Sequence, residues 1–171
     1  SFLKLLKMEG LAARRTHLPL NARTISSEDK GAFTLHEMEI DSTPASRIKV
    51  VLTIPRNVAG TCPAVVAIAG HSGTRHSCYQ NRGFATLLAE KGYLTVSTRI
   101  SQHSVREQER SMMGERLWDL MRCVDLLASR REVDPGRIGC AGNSLGGEMA
   151  MWLAAMDERI AATMSAGFLT R

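Results

Sequence analysis

The fold of this 171-residue chain is decided by the segment Arg137-Ile138-Gly139-Cys140-Ala141-Gly142-Asn143-Ser144-Leu145-Gly146-Gly147. The segment opens as a short buried strand, and residues 145–156 behind it are apolar nearly all round, which predicts a buried helix. The joint between them reads G-x-S-x-G, with Ser144 in the middle. A serine on such a bend takes a strained backbone conformation, and its hydroxyl projects above the carboxyl edge of the sheet. We therefore predict that Ser144 is a nucleophile.

The neighbours of Ser144 fit the same interpretation. Glycines two residues before and after the serine have no side chain to collide with the adjoining strand and helix. The N-terminus of the helix directs backbone N–H groups at the point where an oxyanion would form, so we predict the Leu145 N–H as one donor. We assign the bend, or nucleophile elbow, to Gly142, Asn143, Gly146 and Gly147.

Strand and helix patterns alternate along the rest of the chain. Buried strands are predicted at 48–54, 64–69, 93–98, 137–141 and 160–166, with a weaker candidate at 33–40. Helical patterns separate the later strands, so right-handed crossovers and a mostly parallel sheet flanked by helices follow. Residues 1–30 mix Leu with Lys and Arg and are predicted to form an N-terminal arm of helix and loop.

Three stretches resemble one family. Residues 133–147, residues 153–160 and Trp118-Asp119-Leu120-Met121-Arg122 resemble the dienelactone hydrolase and acetyl xylan esterase branch of the α/β-hydrolases. The resemblance covers about 64–171, and the elbow with its Asp-Pro turn is the most specific part. It implies a partial α/β-hydrolase domain over 31–171 and hydrolysis of a carboxylic ester, often an acetyl ester of a sugar, without a metal or organic cofactor.

A second signal is Gly70-His71-Ser72-Gly73, at the end of the apolar run 64–69. In the strand order of an α/β-hydrolase this run lies beside the strand leading to Ser144. The backbone N–H of His71 is therefore predicted as the second oxyanion donor, with that of Ser72 as the alternative. Related loops often read His-Gly-His-Gly-Gly, whereas Ala69 and Ser72 here replace the first His and a Gly. Ser72 lacks the second glycine that a nucleophile elbow needs.

The other two members of a catalytic triad are not found. In this fold the acid and then the histidine follow the serine along the chain. Asp157 and Glu158 come too early for the acid. We therefore expect the sequence to end after about the sixth strand of an eight-strand plan, with the triad Asp and His beyond Arg171. All five histidines precede Ser144, namely His17, His36, His71, His76 and His103.

The composition of the chain restricts the classes of partner that it is expected to bind. The formal net charge is +5, but Lys and Arg are scattered and aromatic residues make up only 5%, which argues against nucleic-acid binding. The four cysteines show no metal-ligand spacing and are interpreted as reduced apolar residues, and no metal site is predicted. The apolar runs are too short to cross a bilayer. A small-molecule or carbohydrate ester is the expected partner.

Two other functions remain open. One is a serine peptidase similar to prolyl oligopeptidases, although these usually carry a large propeller domain and only about sixty residues precede the apolar strand at 64–69 here. The other is a hydrolase-fold module that has lost its triad and serves in binding. A downstream Asp and His would favour catalysis.

The 171-residue chain alone is predicted to be nearly inert, because a serine hydroxyl without a base is a poor nucleophile at neutral pH. A fluorophosphonate should therefore fail to label Ser144 in this chain, as measured by intact-mass spectrometry. Stoichiometric labelling would contradict the prediction. We also expect the strand 160–166, as an uncovered edge, to favour self-association.

Overall fold

The computed structural model describes residues 2–56, 58–107 and 110–168 and contains one seven-stranded mixed sheet. The strands are β1 (Arg23–Asp29), β2 (Phe33–Thr43), β3 (Ser46–Pro55), β4 (Cys62–Ile68), β5 (Leu94–Thr98), β6 (Val133–Asn143) and β7 (Ile160–Ala166). The helices are α1 (Phe2–Leu5), α2 (Glu9–Ala12), α3 (Phe84–Glu90), α4 (Met112–Ala128) and α5 (Leu145–Met156), with 3-10 turns at Arg15–His17 and Gln80–Arg82.

The strand order is β1-β2-β3-β5-β4-β6-β7. The pairs β1–β2, β2–β3 and β3–β5 run antiparallel, and a short turn joins β2 and β3 as a hairpin. The pairs β5–β4, β4–β6 and β6–β7 run parallel, because each of their connections crosses over through a helix. The predicted α/β-hydrolase fold is confirmed, and each of the six predicted strands is present.

The strand β1 was not predicted, and its sequence explains why. All seven residues of Arg23–Asp29 are exposed, so the strand has no buried face and no alternation of apolar and polar residues. It is held by backbone pairing along β2, from Arg23 opposite Glu39 to Asp29 opposite Thr34. Residues 2–30 thus contain short helices and loops, followed by the edge strand β1. The division of the predicted arm from the rest of the chain at residue 30 stays a prediction.

Helices cover both faces of the centre of the sheet. The side chains of Ala64, Val66 and Ile68 on β4 belong to the large core that includes α4 and α5. Ala67 packs on the opposite face with Ala85 of α3, in a second, smaller core. Successive side chains of a strand point to opposite faces, so a continuous apolar run fits a strand buried on both sides.

Two sequence-based expectations need correction in detail. The Asp-Pro-Gly turn at 134–136 lies within β6, at a shift in the register against β4: Cys62 is opposite Val133, but Ala64 is opposite Ile138. The helix α5 is not buried all round. Met149 is buried, but Met151 is 42% exposed, because the elements packed on α5 cover only one of its sides.

Two further observations concern the cysteines and the helices. All four cysteines are buried and free, as small apolar residues would be. Within the described residues, no helix has the length and apolar character that a membrane crossing requires.

A partly buried ion cluster ties the N-terminal arm to α4 and to the end of α5. Asp125 accepts hydrogen bonds from Arg15, Arg122 and Arg159 at 2.6, 2.8 and 2.8 Å. Asp157, which follows α5, accepts from Arg15 at 2.8 Å and from Arg159 at 2.7 Å. Burial raises the pKa of Asp157, and the neighbouring Arg15 opposes that rise. The cluster therefore fixes where α5 ends.

Replacing Asp125 with Asn should destabilise the chain strongly. The Arg122 side chain is only 2% exposed and would lose its carboxylate, and removing one partner of a buried pair costs about 3 kcal/mol of unfolding free energy. Urea unfolding followed by circular dichroism measures the loss. Glu90→Gln, which breaks the exposed pair with Arg82, is the control and should cost less than about 1 kcal/mol. Equal losses in the two variants would contradict the role of the cluster.

Candidate active site

Ser144 occupies the bend between β6 and α5. Its backbone angles are φ 56° and ψ −123°, in a region that residues other than glycine rarely adopt, and the residue is exposed. Its N–H donates to the Ala166 carbonyl at 2.8 Å, and its own carbonyl accepts from the Glu148 N–H at 3.0 Å. These bonds to β7 and α5 hold a strained conformation that would otherwise relax.

Close backbone approach explains the glycines on either side of Ser144. An added Cβ at Gly146 would lie 2.2 Å from the Ile68 carbonyl oxygen of β4. At Gly142 it would lie 2.2 Å from the Gly146 carbonyl oxygen, so the bend closes tightly on itself. Gly147 is buried in the first turn of α5, and Asn143 ends β6 as an exposed residue. The predicted elbow residues are thus brought together at one bend.

The loop after β4 lies against this bend. A Cβ on Gly70 would be 3.4 Å from the Ser144 Cβ and 3.0 Å from the Asn143 carbonyl oxygen. His71 and Ser72 follow on the surface, where the Gly73 N–H closes a turn onto the Gly70 carbonyl at 3.0 Å. The loop that carries the second predicted donor is therefore adjacent to the serine. Leu145, which carries the first, begins α5 directly after it.

Two contacts that the sequence did not suggest hold this loop. Glu37 on β2 accepts a hydrogen bond from the Arg75 Nε at 2.9 Å and contacts the His76 Nε2 through its other oxygen. Burial would raise the pKa of Glu37, but these hydrogen bonds outweigh it and lower the pKa. The Ser101 hydroxyl donates to the Gly73 carbonyl at 2.7 Å and ties the loop to the one after β5. Glu37 lies within a mixed polar strand, so no local pattern marks it.

Four of the five histidines have partners other than Ser144. The Nδ1 of His36 lies 2.7 Å from the Ser27 hydroxyl, and His76 contacts Glu37. The rings of His71 and His103 meet edge to face, with centroids 5.1 Å apart. Within the described residues, no hydrogen bond joins a histidine to Ser144, and no group of three or more His, Cys, Asp or Glu is placed to hold a metal ion.

Comparisons with known proteins show which family this chain resembles. A family model described as "Glucuronyl esterase, fungi" matches residues 40–167. The curated protein "Putative hydrolase YtaP" of Bacillus subtilis (strain 168) is 25% identical and aligns with 83% of this chain and 55% of its own length. The 2,6-dihydropseudooxynicotine hydrolase of Paenarthrobacter nicotinovorans is 28% identical, with 77% and 34% covered. The chain therefore spans about half or less of these relatives.

Solved structures show the same fold. An acetyl xylan esterase from a Paenibacillus species superposes with a TM-score of 0.78 at 20% identity, covering 94% of this chain and 57% of that one. The family model spans well over half of the residues, including both the loop after β4 and the bend at Ser144. By this match the chain belongs to the glucuronyl esterase family of α/β-hydrolase esterases.

Proposed function

We propose that this chain carries the nucleophile and the oxyanion hole of a serine hydrolase that acts on carboxylic esters. In this reaction the Ser144 Oγ attacks the ester carbonyl and forms a tetrahedral oxyanion. The alcohol then leaves with a proton, and an acyl group remains on Ser144. Water attacks this acyl-enzyme, and the carboxylic acid is released.

The observation that carries the proposal is the exposed Ser144 with its φ of 56°, on a bend between a buried strand and a helix. A serine whose role is only structural has no need of this strain, which the surrounding hydrogen bonds must hold in place. The first turn of α5 adds a positive electrostatic potential beside the hydroxyl.

The oxyanion hole is proposed to consist of two backbone N–H groups, from Leu145 and from His71. Leu145 begins α5, so its N–H belongs to the first turn, where helix donors lack intrahelical partners. Support for His71 comes from the contact distance between Gly70 and the bend. The Ser72 N–H is the alternative donor in the same turn. Donors fixed in advance stabilise the oxyanion without reorganising during the reaction.

A base must take the proton of Ser144. No histidine hydrogen-bonds to Ser144 in the described residues, and the chain spans about half the length of its curated relatives or less. We propose that the acid and the histidine lie in the part of those relatives that this chain does not span. Acetyl esters of carbohydrates are the proposed substrates, because structural neighbours are named acetyl xylan esterases.

Replacing Ser144 with Ala in the natural full-length protein should lower kcat for p-nitrophenyl acetate by about 10⁵-fold, because the acyl-enzyme cannot form. Ser72→Ala is the control and should leave kcat within about tenfold, since the backbone N–H of residue 72 remains. An active Ser144→Ala enzyme would refute the role of Ser144 as the nucleophile. Faster turnover of an aminoacyl-proline amide than of the ester would indicate a peptidase, and no turnover of either would indicate a binding module.

Gly146→Ala should distort the bend, because the new methyl group would lie 2.2 Å from the Ile68 carbonyl oxygen. Overpacking of this kind costs about 3 kcal/mol of unfolding free energy, and fluorophosphonate labelling of the full-length protein should slow with it. Gly10→Ala is the matched control, since nothing lies within 4 Å of its added Cβ. Labelling of Gly146→Ala at the wild-type rate would show that Ser144 does not depend on this close approach.

A further inference from the structure

A basic cleft opens on the same edge of the sheet as Ser144. It has a volume of about 480 Å³ and lies between the start of β3, the loop after β4 and residues 99–106 after β5. A single acid, Asp119, belongs to its described lining. The cationic and imidazole side chains of the lining are Lys49, Arg75, Arg99, His103 and Arg106.

Several of these charges are not neutralised. Arg99 is exposed and uses its Nε to donate to the Ser101 hydroxyl at 3.2 Å, but it pairs with no acid of the described residues. Lys49 is also exposed. Glu39 lies opposite it on β2 but pairs with Arg23 and Arg47, and no ion pair joins it to Lys49 in the described residues. Arg75 donates to Glu37 through Nε, which leaves its terminal nitrogens for another acceptor. The cleft thus offers donors with little competition from acids.

The acids near the cleft already accept hydrogen bonds from other groups of the protein. The Asp119 side chain is only 3% exposed and accepts from the Arg106 Nη2 at 2.8 and 2.9 Å and from the Ser42 hydroxyl at 2.6 Å. Glu115 accepts from the backbone N–H groups of Arg106 and Glu107 at 3.0 Å. These contacts occupy both carboxylates. In the described residues neither acid forms an ion pair with Arg99 or Lys49.

A further guanidinium, outside the lining of the cleft, contacts the loop that follows β5. Arg116 on α4 is only 8% exposed and donates from Nη2 to the Gln102 carbonyl at 2.8 Å. In the described structure its Nε and the Gln102 Oε1 are buried without a hydrogen-bond partner, and no acid pairs with it. A buried charge without a counterion is costly and raises the local electrostatic potential. Arg116 therefore adds to the attraction of the cleft for an anion.

The cleft is within reach of the proposed nucleophile. The strand β4 alone separates β5 from β6, and two strand spacings amount to about 10 Å. The contact between His71 and His103 joins the loop beside Ser144 to the loop that lines the cleft. A substrate bound at Ser144 can therefore extend a second group into it.

We propose that this cleft is a subsite for an anionic oxygen group, a carboxylate or a phosphate, on the substrate about 10 Å from the ester carbonyl. The proposal rests on the function proposed for Ser144 and narrows its substrates to esters that carry a second, negatively charged group. Arg99 and Lys49 bind this group directly. Arg75 donates hydrogen bonds to this group from its terminal nitrogens, and Arg116 attracts it through its electrostatic potential without contacting it.

Two measurements on the natural full-length protein test the subsite. The first compares kcat/KM for 8-acetoxyoctanoate, an acetyl ester with a free carboxylate on its alcohol, with that for the neutral methyl ester of the same compound, followed by acetate release. Arg99→Gln should lower the ratio of the two values about tenfold, as loss of a charge-assisted hydrogen bond does. Arg131→Gln is the control: it removes the same charge from an exposed site next to β6, at the opposite edge of the sheet, and should leave the ratio within about twofold.

The second measurement does not depend on catalysis. Isothermal titration calorimetry with glutarate and with inorganic phosphate should give saturable binding that weakens about tenfold in Arg99→Gln and in Lys49→Gln. The stronger of the two ligands identifies the anion. If Arg99→Gln changes neither the ratio nor either affinity, the cleft is ordinary solvated surface and the subsite is refuted. A Ser144→Ala enzyme that still hydrolyses esters would instead refute the proposed function and leave the calorimetric result standing.

Discussion

The close approach of α5 to the end of β4 is the constraint on which the candidate site depends. Gly146 lies so near the Ile68 carbonyl that no side chain fits between them, and this contact brings the helix down onto the sheet. The chain can reach that position from β6 only through a sharp reversal, which gives Ser144 its positive φ. Packing and chemistry are thus linked: the glycine that lets two elements touch also forces the hydroxyl outward.

Most of the strands and helices could be predicted because buried segments have recognisable patterns of apolar residues in the sequence. The apolar run of β4 and the bend at Ser144 are visible because two-sided burial and a tight reversal each restrict residue types strongly. The edge strand β1 has no such pattern, since all its residues are exposed and its contacts with β2 are backbone pairing and polar side-chain contacts. Burial of α5 was overestimated for a related reason. Composition reports how apolar a helix is, but not which of its sides has neighbours.

The parts of the site that were not predicted are long-range polar contacts. Glu37 meets Arg75 and His76 across almost forty residues of sequence, and Arg116 reaches the carbonyl of Gln102 from a different element. Such pairs follow from tertiary arrangement and have no fixed spacing. Ser144 and its glycines lie within six consecutive residues, so a local motif captures them. Supporting residues become visible only once the strand order is known.

The hydrogen bond from Ser101 to the Gly73 carbonyl has an evolutionary consequence. It makes the loops after β4 and β5 one mechanical unit, so an insertion in either would also shift its neighbour. Exchange of a side chain such as Arg99 or His103 leaves this bond in place, so the side chains of the second loop can vary more readily than its length.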